Sequence, residues 1–92
     1  MIKNFRHKRL RRLYERGDAV GLSAEDLDRI RARLSRLDVA ETIEALDMPQ
    51  YRLHRLKGNR KGEWTITVRG NWRMTFRFEA GHVYDLDLED YH

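Results

Sequence analysis

The feature that most constrains the fold is a change of hydrophobic period at Pro49. Upstream, Leu27, Ile30, Leu34 and Leu37 step by three, four and three residues, one apolar stripe along a helix. Downstream, Trp64, Ile66 and Val68 alternate with Thr65, Thr67 and Arg69, the period of a half-buried strand. Gly70-Asn71 is a turn dipeptide, after which Trp72, Met74, Phe76 and Phe78 alternate with Arg73, Thr75 and Arg77. Glu79-Ala80-Gly81 marks a second turn, and Tyr84, Leu86 and Leu88 then alternate with Asp85 and Asp87. Strands patterned in this way predict an antiparallel meander with one apolar and one polar face. Helices followed by such a meander form an α+β fold, the helices covering the apolar face.

The remaining segments complete this plan. Met1 to Phe5 reads as a short strand leading into a basic helix near Arg6 to Arg16, with Leu10, Leu13 and Tyr14 at helical spacing and Gly17 as its stop. Ser23 is placed to cap the next helix, with Asp26 three residues later. A short third helix is predicted from Val39 to Leu46, and a strand from Tyr51 to Arg55 with Tyr51 and Leu53 inside. The expectation is two to three N-terminal helices on one face of a four- or five-stranded, largely antiparallel sheet. Ninety-two residues hold one modest core, so residues 1–92 read as a single domain.

Charge is segregated along the chain. Residues 1–16 carry +6, 17–48 carry −4, 49–78 carry +7 and 79–92 carry −5, which sum to the net +4. The two basic blocks are where an anionic partner would bind. Without cysteine there is no disulfide, thiolate–zinc site or cysteine nucleophile. The four histidines lack metal-ligand spacing, so neither a metal nor a cofactor is expected. The longest stretch without a charged residue is Ala19 to Ala24, far short of a membrane span or a secretory signal. The expectation is a soluble, cytoplasmic protein with no membrane contact.

Strand alternation predicts which side chains share the polar face. With Trp72, Met74 and Phe76 inward, Arg69, Arg73 and Arg77 project outward, and Arg52 and His54 join them if Leu53 is core. Lys57, Arg60 and Lys61 follow in the connection. Arginines outnumber lysines fifteen to four, and guanidinium groups match phosphate oxygens bidentately. The same bias at Arg29, Arg31, Arg33 and Arg36 is equally a matter of coding composition. Glu89-Asp90-Tyr91-His92 then closes the chain. Metal-free RNA cleavage needs a group to take the 2′-hydroxyl proton, another to protonate the leaving 5′-oxygen, and cations on the phosphoryl oxygens. By residue type alone such a tail is more often a solvated end. Strict alternation would also send Asp90 and His92 inward, so a bend after Leu88 is required if they serve the polar face. Asp85 and Asp87 read as partners for Arg73 or Arg77 across the strands. The acidic segment between Ser23 and Asp47 disfavours a DNA-reading helix pair.

With the hairpin and tail in view, the chain resembles the HigB-type toxins of the RelE superfamily, the plasmid-maintenance killer proteins. The resemblance runs through Met1-Ile2-Lys3-Asn4-Phe5, Leu53-His54-Arg55-Leu56-Lys57-Gly58-Asn59-Arg60, Gly62 to Val68, Asn71 to Phe76 and the closing Asp90-Tyr91-His92. It implies the RelE-like microbial RNase fold and a metal-free endoribonuclease that cuts mRNA in the ribosomal A site. It also implies a toxin of a type II toxin–antitoxin system, restrained by a HigA-type helix-turn-helix antitoxin and meeting operator DNA only through that complex. Carried over by position, the catalytic set is His54, Lys57, Arg73, Asp90, Tyr91 and His92. Contacts to RNA or the 70S ribosome are expected from Lys3, Arg6, Lys8, Arg9, Arg11 and Arg12, and on the sheet from Arg52, Arg60, Arg69 and Arg77. The alternative is a non-catalytic RNA- or ribosome-binding protein that blocks translation sterically.

Overall fold

The structure is a computed structural model that describes residues 1–91; His92, the last residue of the predicted catalytic set, lies outside the described residues. Helices α1 (Lys8–Arg16) and α2 (Leu27–Val39) precede strands β1 (His54–Arg55), β2 (Glu63–Arg69), β3 (Trp72–Glu79) and β4 (His82–Asp90). The strands form one antiparallel sheet in the order β1-β2-β3-β4. The α+β expectation holds, and so does the extra N-terminal strand in reduced form. Residues 2 and 5 make parallel bridges to Val83 and Leu86. The Lys3 and Arg6 amides donate to the Val83 and Leu86 carbonyls at 2.8 Å each, covering an edge that would otherwise expose unpaired backbone.

The helical stripe and the strand alternation meet in a common core. Leu10 and Leu13 of α1 and Ile30, Leu34 and Leu37 of α2 are buried with Ile66, Val68, Met74, Phe76, Val83 and Leu86 of the sheet. Burying each such side chain fully is worth roughly 1.5–3 kcal/mol, which is what holds two short helices to the sheet. His7 caps α1, its Nδ1 accepting the Leu10 amide at 3.2 Å. Gly17 ends it in the left-handed region at φ 70°, donating its amide to Leu13 at 2.9 Å.

Three local expectations are corrected. Ser23 does not cap α2: the Asp26 amide closes a turn on the Ser23 carbonyl at 3.0 Å, and Asp26 is the cap residue. The third helix shrinks to a 3-10 turn at Ile43–Leu46, enough to bury Leu46 but too short to repay helix nucleation. The strand expected from Tyr51 is only His54–Arg55. Tyr51 ends a 3-10 turn at Pro49–Tyr51 and Arg52 takes φ 49°, so the backbone turns where an extended run was expected. Tyr51 is nonetheless buried, because the Arg33 guanidinium lies 4.6 Å above its ring. Arg33 is itself buried in α2 and donates its Nε to the Thr67 carbonyl at 2.7 Å.

Two bulges redirect side chains. The β2–β3 register slips between Thr67 and Arg69, so Arg69 pairs with Trp72 and moves to the helix side. There it binds the Asp26 carboxylate, with Glu25 at 3.5 Å. The expectation that Arg69 projects beside Arg73 and Arg77 is therefore wrong. In the second hairpin Ala80 and Gly81 both have positive φ, the requirement of a tight two-residue turn. The β3–β4 register then slips at Asp85, φ 54°, which puts Val83 rather than Tyr84 in the core while keeping Leu86 there.

Candidate active site on the polar sheet face

Past the second bulge the register is regular: Thr75 faces Asp87, Met74 faces Leu88, Arg73 faces Glu89 and Trp72 faces Asp90. The Tyr91 amide extends this pairing by donating to the Asn71 carbonyl at 2.8 Å. The bend required after Leu88 does not occur through Tyr91; the slip comes earlier, at Asp85. Paired residues point to the same side of a sheet. Asp90 therefore stands with Trp72 on the helix side, whereas Glu89 and Tyr91 stand with Arg73 on the polar face.

The polar face is a network rather than a plain basic surface. Arg60, in the 3-10 turn Gly58–Arg60, folds back over it. Its Nη2 donates to Glu89 Oε2 at 2.7 Å and to Glu63 Oε1 at 3.2 Å. Its Nε reaches Glu63 Oε2 at 3.1 Å, and its Nη1 reaches Glu89 Oε1 at 3.0 Å and the Tyr91 hydroxyl at 3.1 Å. The buried Thr75 hydroxyl donates to Glu89 at 2.5 Å. Arg6 approaches Glu63 at 3.8 Å and Asp85 at 3.7 Å. These contacts set the ionisation of the group. Hydrogen bonds to Glu89 and then Glu63 push the Arg60 guanidinium further up. The bond from Arg60 holds Glu89 below the usual glutamate range against the opposing effect of burial. Burial raises the Tyr91 phenol, with Arg60 pulling the other way.

Arg73 contrasts with Arg60 at the centre of this face. Its guanidinium lies 5.4 Å from the Tyr91 ring centroid, and one Nη reaches the Thr65 hydroxyl at 3.4 Å. Its Nε is buried without a hydrogen-bond partner among the described residues, as is the hydroxyl of Thr67 in the facing position of β2. Buried donors are rarely left this way in native proteins unless something else supplies the acceptor. Both atoms are closed to solvent, so an anion would meet Arg73 through its Nη groups.

The other predicted residues separate by position. His54 is exposed and pairs with Thr65, so it shares the polar face. Lys57 precedes the turn that carries Arg60 and lines a hollow of about 200 Å³ with Arg55, Leu56, Gly58 and Lys61. Arg77 lies on the polar face opposite Glu63, its guanidinium 3.2 Å from where a Cβ at position 62 would stand. Arg52 is exposed on its turn rather than on a strand. The expected pairing of Asp85 and Asp87 with Arg73 or Arg77 gives way to other contacts. Asp85 bonds the Asn4 amide at 2.7 Å, and Asp87 accepts the Leu88 amide at 2.9 Å. Glu63 and Glu89 were not singled out from the sequence. The signal for Glu89 was present: it continues the step of two from Asp85 and Asp87.

No helix among the described residues is long and apolar enough to cross a membrane. A family model for HigB, the RelE-like toxin of type II toxin–antitoxin systems, matches residues 3–92. The chain is also 52% identical over 92 residues, the whole length of both proteins, to Endoribonuclease HigB of Proteus vulgaris.

Proposed function

The chain belongs to the HigB-like family of RelE-like type II toxins and is an endoribonuclease; from that premise we propose that it cuts mRNA in the ribosomal A site by metal-free attack of the 2′-oxygen on the adjacent phosphate. The observation that carries this reading is the Arg73 guanidinium on the polar face, held by one long bond to the Thr65 hydroxyl and standing over the Tyr91 ring. A phosphodiester would meet Arg73 through its Nη groups. Arg73 and Lys57 hold the scissile phosphate and stabilise its charge as the 2′-oxygen bonds to phosphorus and the bond to the 5′-oxygen breaks. His92 exchanges the proton as general acid or base, and Asp90, which stands on the helix side of the sheet, orients the tail that carries it. His54 and Tyr91 position the nucleotide from the polar face. The products are a 2′,3′-cyclic phosphate and a 5′-hydroxyl.

As a toxin of a toxin–antitoxin system the protein has an antitoxin partner. We propose that this is a HigA-type helix-turn-helix protein through which the complex meets operator DNA, and that the toxin acts in the cytoplasm. Lys3, Lys8, Arg9, Arg11 and Arg12 are all exposed and suit contacts to ribosomal RNA. The test is to map 5′ ends of a purified mRNA after exposure to the toxin, with and without 70S ribosomes. Cuts bearing 5′-hydroxyl ends that need ribosomes support the reading. Equal cutting of free RNA overturns ribosome dependence, and 5′-phosphate ends overturn the 2′-oxygen mechanism.

A further inference from the structure

The most heavily bonded side chain on the polar face is one already committed to two carboxylates. All three nitrogens of the Arg60 guanidinium are engaged by Glu63 and Glu89, with Tyr91 sharing Nη1. A guanidinium neutralised by two carboxylates is a poor ligand for phosphate, which would have to displace them. Two pieces of backbone carry this clamp. Glu63 opens β2 and Glu89 lies near the end of β4, so Arg60 ties the connection before β2 to the strand that leads into Tyr91. Thr75, buried between them on β3, fixes the Glu89 carboxylate from beneath.

The consequence falls on the phenol. A tyrosine hydroxyl has one proton to donate and lone pairs to accept with. Guanidinium can only donate, so the 3.1 Å contact makes the Tyr91 oxygen an acceptor from Arg60. The phenolic proton is then available for another partner. On the ring face, Arg73 stands 5.4 Å away with its Nε unpartnered. An anion held by the Arg73 Nη groups would lie beside the phenol.

We propose that Arg60, locked between Glu63 and Glu89, is a positioning residue that orients Tyr91 to donate its phenolic proton in a hydrogen bond to the scissile phosphate held by Arg73. Arg60 itself does not touch substrate. The assignment rests on the reading of Tyr91 as part of the RNA-cleaving site and removes Arg60 from the residues expected to bind RNA directly.

The test is a double-mutant cycle with single-turnover and steady-state cleavage of ribosome-bound mRNA. Tyr91→Phe should lower kcat about 10²-fold, the usual loss of one donor to a developing oxyanion. Arg60→Lys keeps a positive charge between the carboxylates but cannot reach all three partners. It should lower kcat about tenfold through misplacement, with KM unchanged. In the Tyr91→Phe background the same Arg60→Lys change should cost almost nothing more, because the hydroxyl it acts through is gone. Glu89→Gln keeps the side-chain shape and leaves the Arg60 charge partly unbalanced. It should lower kcat while KM falls, the opposite of what simple loosening of the fold would produce. This variant also guards against poor folding of Arg60→Lys.

Several results would overturn the inference. If Arg60→Lys raises KM at constant kcat, Arg60 is an RNA ligand. If its cost is the same with and without the Tyr91 hydroxyl, it does not act through Tyr91, although Tyr91 keeps its place in the site. If Tyr91→Phe cleaves like the wild type, the placement of Tyr91 fails first, and the role of Arg60 fails with it.

Discussion

Two parts of the molecule are rich in arginine, and they hold it differently. On α1, Lys8, Arg9, Arg11 and Arg12 are exposed along a shallow groove of about 500 Å³ that also includes Val20. An ion pair in this row joins Arg11 to Glu15 at 3.7 Å, both more than half exposed, and such pairs contribute little. On the sheet, Arg60 is bound by two carboxylates, Arg69 is held by Asp26 on the helix side, and Arg73 keeps a buried donor without an acceptor. The lesson is that the local placement of carboxylates, and not the count of basic residues, decides which cations can meet RNA. The α1 row offers exposed charge over a broad surface, weakly paired at Arg11, the property of a long-range contact. Arg73 offers one oriented donor, the property of a reaction site.

Removing Arg73 is expected to have the largest effect. Arg73→Ala should reduce the cleavage rate on saturating ribosomes by about 10²–10³-fold, as expected for loss of a group that stabilises phosphoryl charge. Its thermal midpoint should stay near that of the wild type, since a long bond to Thr65 and the contact with the Tyr91 ring are lost. Reversing the charges of Arg9, Arg11 and Arg12 should act the other way round. Ribosome affinity at physiological salt should fall at least about tenfold and its salt dependence should flatten, while kcat on saturated ribosomes is kept. A fall in kcat with unchanged affinity would erase the distinction between the two regions.

Arg69 sharpens the comparison on the sheet itself and shows what the sequence could not reveal. The alternation of β2 and β3 was legible because side-chain parity is local, and Ile66, Val68, Met74 and Phe76 are all buried as expected. A bulge adds one residue to one strand and reverses parity beyond it, with no mark in the pattern of residue types. Arg69 therefore looked identical to Arg73 and Arg77 in sequence but stands on the opposite face. The slip at Asp85 likewise moved Tyr84 out of the core, while Leu88 and Asp90 keep the helix-side parity that alternation gives them. The turn at Pro49–Tyr51 was hidden for another reason: a buried arginine from a distant helix covers Tyr51 there, and only tertiary packing reveals it. By this account Arg69→Met should lower the thermal midpoint by a few degrees through loss of its bonds to Asp26, leaving KM and kcat for RNA cleavage unchanged. A raised KM would return Arg69 to the RNA-binding set.

The smallest expected effect concerns acidity and tests whether the polar face is coupled as its geometry implies. Glu89 is held below the usual glutamate range by the bond from Arg60, with burial opposing and the Thr75 hydroxyl assisting. A carboxylate whose folded value is depressed binds its proton more readily in the unfolded chain. The stability it contributes is therefore fully present above the unfolded value, near pH 4.5, and is lost as pH falls through the lower folded value. Other carboxylates share this acid sensitivity, among them Asp38. Burial pushes Asp38 up, but the Tyr14 hydroxyl and the Ile2 amide hold it lower overall. Comparison with Glu89→Gln isolates the contribution of Glu89, because glutamine keeps the shape and does not titrate. The gap in thermal midpoint between wild type and Glu89→Gln should be constant from pH 7 to about pH 5 and should narrow on further acidification, since only the wild type has a proton to gain there. A gap that stays constant down to pH 3 would mean that Glu89 is not held by Arg60 in solution, and the clamp across the polar face would lose its physical basis.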